Sequence, residues 1–331
     1  MPGIAISDRA RKLYSEALVW DDHSGFDPVG GAHRLENLQR WTKSGVHYLS
    51  VNVGYDVIDW QIGLQNLAAF RAWLQQRPEQ YLLVQTAGDI LRAKIEGKLA
   101  ITFDLEGMNA LNGSADMVNV YYALGVRQML FAYNLNNQVG GGCHDTDTGL
   151  TELGRAVIRE MNRVGMLVDC SHTAYRTTME AMDASAAPVI FSHSCAKALW
   201  KHGRNITDEQ IKACARTGGV IGINGIGNFL GKNDISSTKF VDHLAHVAGL
   251  VGPEHVGISL DYAFDAENVD SLVEGNSTYW PKEEYQTASL YLPPEQLPEI
   301  VETMVQRGFS DAEITGILGG NFFRVAKAVW K

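Results

Sequence analysis

The chain has 331 residues, 45% of them hydrophobic and 20% charged, and its 28 lysines and arginines against 38 aspartates and glutamates give a net charge of −10. That apolar content excludes a disordered chain, and no uninterrupted apolar run reaches the length needed to span a membrane. The acidity argues against a nucleic-acid binder, which carries a basic stripe.

Residues 1–4 lack a basic region leading into an apolar stretch, so no export signal is read and a cytoplasmic location is expected. The first predicted strand, 17–21, is followed by Asp22 and His23. A second at 46–53 leads to a helix over 57–75, and a third at 101–105 ends directly before Glu106. The fourth, 128–132, runs into Tyr133. A glycine-rich loop then carries Cys143 and His144, and it is no phosphate loop because the Lys-Ser/Thr pair is missing. His144 is a second-rank candidate that reads more simply as part of a solvent-exposed turn.

Thr151 is placed to cap a helix over 151–163, and the strand at 166–169 delivers His172. After a helix at 173–184, a strand at 189–191 delivers His193. Thr207 and Gln210 form a capping box for a helix over 208–217, which Gly218 and Gly219 end before a strand at 219–223. A helix at 239–248 precedes the last strand, 256–259, with Asp261 just beyond it. Residues 265–292 turn polar and aromatic and read as an excursion over the site or into a partner subunit, and a helix over 294–307 follows.

Most of these strands are apolar throughout, as parallel strands covered on both faces are. Eight of them alternating with helices predict a (β/α)8 TIM barrel spanning 1–331 as a single catalytic domain, with a doubly wound sheet as the competing architecture. Four scattered cysteines with no CxxC pair suggest neither a disulfide scaffold nor a zinc ribbon. Cys170 and Cys195 read as small core fillers.

His23, Glu106, His172, His193 and Asp261 all follow apolar strands. Taken singly, each reads as a turn or capping residue. Together they suggest a metal, because strand exits converge on one mouth and a divalent zinc ion accepts imidazole and carboxylate at once. Such an ion lowers the pKa of its water enough to give hydroxide near neutrality.

The sequence also resembles the zinc-dependent dipeptidases of the renal or membrane dipeptidase type, an amidohydrolase-like family. The resemblance runs from Gly149-Leu150-Thr151-Glu152-Leu153-Gly154 through Glu160-Met161-Asn162-Arg163-Val164-Gly165-Met166 to Asp169-Cys170-Ser171-His172. It continues in Phe191-Ser192-His193-Ser194, His202-Gly203-Arg204-Asn205-Ile206, Gly257-Ile258-Ser259-Leu260-Asp261-Tyr262 and Gly319-Gly320-Asn321-Phe322. It implies that Glu106 bridges two zinc ions, that His172 and His193 serve the second ion and that His23 serves the first. It further implies that Arg204 holds a substrate carboxylate, that Asp261 handles the proton during attack, and that the protein is a homodimer or larger homo-oligomer.

Two positions depart from that pattern. The family's His-x-Asp is His23-Ser24-Gly25 here, so one carboxylate ligand of the first ion is missing, and the family's histidine after the fourth strand is Tyr133. The expected function is metal-dependent hydrolysis of a dipeptide or small amide, with Tyr133 assisting at the oxyanion. The departures keep open a mono-metal lyase, decarboxylase or isomerase on a small amino-acid-like substrate, or a non-catalytic binding protein. No nucleic-acid or membrane partner is expected.

Overall fold

A computed structural model describes residues 4–25, 31–286 and 288–331. Residues 1–3, part of the stretch read for an export signal, and Thr287 in the excursion lie outside the described residues. Among those described, no helix is long and apolar enough to cross a membrane.

Among the described residues nine strands form: β1 Trp20–Ser24, β2 Tyr48–Tyr55, β3 Tyr81–Leu83, β4 Leu99–Glu106, β5 Val126–Leu130, β6 Leu167–Asp169, β7 Val189–Ile190, β8 Ile221–Asn224 and β9 Val256–Ser259. Eight coincide with the predicted runs and β3 is additional. All pair in parallel, in the order β1-β2-β4-β5-β6-β7 with β3 also on β4, and β8 pairs with β9. This order climbs without reversing, which rules out a doubly wound sheet.

The closed barrel predicted from the strand count also needs correction. The hydrogen-bonded ladders make an open, curled half-barrel in two pieces, a seven-stranded sheet and the β8–β9 pair. A single bridge, Phe191 to Ile221, links the pieces at one side. At the other side, the backbone N–H of Leu260 donates to the Asp21 carboxylate at 2.8 Å rather than to a strand carbonyl. The same happens near β7, where the N–H groups of Ser171 and Ser192 donate to Asp169 at 2.9 Å. Polar side chains thus take backbone donors that a continuous ladder would use. The hydrogen bonds between the β1 and β9 ends come just beyond the β9 strand, from Asp261 N to His23 O and from Gly25 N to Tyr262 O, both at 2.9 Å.

The helices pack outside the sheet by amphipathic spacing. In Glu152–Val164, Val157, Ile158, Met161 and Val164 are buried on one stripe, and Thr151 Oγ1 accepts the N–H of Gly154 at 3.1 Å as the expected cap. The Thr207/Gln210 capping box forms at the start of Asp208–Arg216. Burying both faces of the strands leaves the carboxyl ends of β1, β4, β6, β7 and β9 gathered at one rim. Over that rim lies the 265–292 excursion, whose helix Ala266–Gly275 buries Val269 and whose Trp280 packs against Tyr133.

Candidate metal centre

Glu106 ends β4 and turns its Oε1 toward three imidazoles. His193 Nε2 lies 3.2 Å away, His172 Nε2 3.1 Å and His23 Nε2 3.7 Å. Each ring is fixed from behind through Nδ1, by Asp104 at 3.0 Å for His23, Asn134 Oδ1 at 2.7 Å for His172 and Ser192 Oγ at 2.7 Å for His193. Ser192 in turn donates to Asp169 at 2.5 Å, so its oxygen is left to accept the His193 proton. With Nδ1 the protonated nitrogen on each neutral ring, its Nε2 presents a lone pair. The Nε2 atoms of His23 and His193 are buried and have no hydrogen-bond partner among the described residues.

Lone pairs crowding a carboxylate oxygen repel unless a cation or a proton lies among them. Burial, reinforced by the charges of Asp261 and Asp104 and partly countered by His23 and Arg204, raises the Glu106 carboxyl to about 8. Burial likewise holds His172 and His193 well below the usual imidazole range, whereas at His23 the charges of Asp104 and Glu106 outweigh burial and raise it. Donor atoms of His23, Glu106 and His193 all lie within 4.8 Å of one another, a span that one ion can bridge. The nitrogen and oxygen donors, their outer anchors and the two orphaned lone pairs therefore fit a divalent transition metal.

Strained backbone concentrates here. Of five described non-glycine residues with positive φ, three are Asn134, His172 and Asp261, at 61°, 61° and 50°. The left-handed turn at His172 sends its ring back toward Glu106. Asp261 places Oδ1 3.5 Å from His23 Nε2, and its Oδ2 accepts from Asn224 at 2.7 Å.

Tyr133 stacks on His172 with ring centroids 4.2 Å apart, and its main-chain N–H donates to Asp56 at 3.1 Å. Burial, with Glu106 nearby, drives its hydroxyl well above the usual phenol range. Arg204 is buried, donates from Nη2 to the carbonyl of His193 at 2.9 Å and leaves Nε without an acceptor. His144 stands apart from Glu106 and meets the Tyr285 hydroxyl at 3.0 Å.

At Gly25 a returning carboxylate would be crowded and the backbone strained. Its φ is +88°, and a Cβ would sit 3.0 Å from the Phe264 ring and 3.1 Å from Val51. Asp104 is the functional residue that strand-end reasoning missed. It lies two positions before Glu106 and so shares its face, and it also accepts from Ser50 at 2.6 Å and Asn52 at 3.0 Å. The available signal was the alternation Thr102, Asp104, Glu106 in an otherwise apolar strand.

Residues 40–279 match the family profile described as membrane dipeptidase (peptidase family M19). Dipeptidase tcpJ of Claviceps purpurea is 33% identical over 252 residues, covering 75% of this chain and 55% of that protein. An uncharacterised dipeptidase of Schizosaccharomyces pombe is 30% identical over 270 residues, covering 80% of this chain and 61% of its own. The chain thus spans little more than half the length of these relatives. Among solved structures, an amidohydrolase from Pseudomonas aeruginosa superposes with a TM-score of 0.86 at 26% identity, covering 97% of this chain and 99% of that one. A Rhodobacter sphaeroides metallopeptidase liganded with a phosphinate mimic of L-Ala-D-Ala shares the fold at a TM-score of 0.78 and 18% identity, covering 95% and 99%.

Proposed function

Because the chain belongs to the membrane dipeptidase family, we propose that it is a zinc-dependent hydrolase of a dipeptide or a similarly small amide. The observation that carries this reading is the convergence of three imidazole Nε2 atoms on one oxygen of Glu106, two of them buried without a hydrogen-bond partner among the described residues. Zinc suits mixed imidazole and carboxylate donors, with His23, Glu106 and His193 holding it and His172 beside them. We assign one ion. The second oxygen of Glu106 accepts from Asn52 at 3.3 Å instead of facing a separate donor set, and Gly25 supplies nothing. An ion so held supplies Lewis acidity and a water acidic enough to attack at neutral pH.

The chain's own groups do the rest. Asp261, steered by Asn224, takes the proton of the attacking water and passes it to the leaving nitrogen. The Tyr133 hydroxyl stays protonated and donates a hydrogen bond to the developing oxyanion. Arg204 lines an adjoining cleft that shares His172 with the cavity above Glu106, and its Nε, without an acceptor among the described residues, is assigned to the substrate carboxylate. The covering segment excludes bulk water from Glu106 and Asp261.

The test combines metal analysis with turnover. Zinc-loaded, dialysed protein is expected to retain one ion per chain and to hydrolyse dipeptides in ¹⁸O-water with label appearing in the released carboxylate. His193→Ala is expected to lose both metal and turnover. Full turnover by the chelated, metal-free protein would overturn the reading, and a product without solvent oxygen would point to the lyase or isomerase alternative.

A further inference from the structure

The cavity above Glu106 is lined by two chemically different sets of groups. Glu106, His172 and Asp261 are the charged and metal-ligating ones, and an apolar wall is built from Ile226, Ala263, Val269, Val273, Trp280 and Tyr291. Four of those six come from the 265–292 excursion, and Val269 and Val273 are one helical turn apart on Ala266–Gly275, so both present to the same side. No lysine or arginine lines the cavity among the described residues, and its acidic groups are confined to Glu106 and Asp261.

We infer that this wall is a specificity pocket for an uncharged, apolar substrate side chain, with Val269 and Val273 setting the choice. The inference rests on the dipeptidase reading and adds the substrate class. A carboxylate side chain entering here finds no lysine or arginine among the described lining residues to pair with. A lysine side chain reaching the wall meets only Ser289 and tyrosine hydroxyls in place of its hydration shell. Burying either charge without a partner costs far more than burying a leucine gains. A pocket of this kind separates apolar from charged side chains more sharply than it separates one aliphatic chain from the next.

The experiment uses the zinc-loaded full chain with Xaa-Gly and Gly-Xaa dipeptides in which Xaa is Leu, Asp or Lys. Hydrolysis is read as kcat/KM, and binding is read in parallel by calorimetry. At one of the two substrate positions, Leu is expected to exceed Asp and Lys by about 100-fold. Val273→Lys, checked for unchanged metal content and circular dichroism, is expected to narrow the Leu-over-Asp ratio at that position by roughly tenfold or more. Charged and apolar dipeptides used equally well, or a ratio unmoved by Val273→Lys, would overturn the pocket. Selective binding of the Leu peptides with no cleavage of any would instead overturn the hydrolase reading and leave the pocket standing. Neither binding nor cleavage would count against both.

Discussion

Asp104 shows how much of a metal centre depends on a side chain that touches no metal. Its carboxylate accepts a hydrogen bond from the Nδ1–H of His23 at 3.0 Å, which fixes the tautomer that turns Nε2 toward Glu106. Asparagine at this position keeps the shape but can offer only one acceptor oxygen, and its amide end can turn a donor toward the ring. Asp104→Asn is therefore expected to weaken zinc binding by about 10- to 100-fold with the fold intact, read by chelator competition alongside a melting curve. An unchanged affinity would mean that Ser50 and Asn52, not His23, account for the carboxylate. The candidate ligands were legible in the sequence because each follows an apolar run, where a buried polar group needs a reason. Asp104 was not, because it lies inside such a run, and its meaning depends on which neighbour stands across the sheet.

The seam between β1 and β9 carries the corresponding lesson for elements. Gly25 leaves β1 with φ at +88° and gives its N–H to Tyr262, while Phe264 fills the space beside it and packs edge-on against Trp41 at 5.4 Å. Gly25→Ala is expected to cost about 1–2 kcal/mol from the left-handed backbone alone, seen as a lower urea midpoint with an unchanged slope. A loss below about 0.5 kcal/mol would mean that the turn relaxes freely. The same crowding argues that Gly25→Asp does not rebuild a ligand unless Phe264 is also made smaller. Periodicity placed the long helices within a few residues, since 3.6-residue spacing survives in any context. It missed β3, whose three residues Tyr81–Leu83 are too few to show a period and become a strand only by pairing with β4.

At the scale of the whole molecule, strand number and order follow from local pattern, but closure does not. Whether the last strand bonds to the first depends on where Asp21 spends its oxygens, and Asp169 acts likewise beside β7; a strand count carries no such information. The whole fold is also expected to respond to pH through histidines outside the metal centre. Burial, with Lys94 nearby, lowers His47 to about 4, and its Nδ1 accepts the backbone N–H of Val19 at 3.1 Å, a bond that requires the neutral ring. Burial also lowers His144 to about 3 and His202 to about 4. In the unfolded chain these rings take protons near pH 6.5, so between that value and about 4 the unfolded state binds more protons than the folded one. Stability is then complete above pH 6.5 and declines as the pH falls toward 4. For His47, half-buried and partly screened, the share is about 1–2 kcal/mol. Urea unfolding of the chelated protein across this range keeps metal release out of the measurement. His47→Gln, which retains an acceptor for Val19 but no titrating group, is expected to flatten the decline by about that amount. A variant with the same acid slope as the parent would move the response to His144, His202 and the empty imidazole cluster around Glu106.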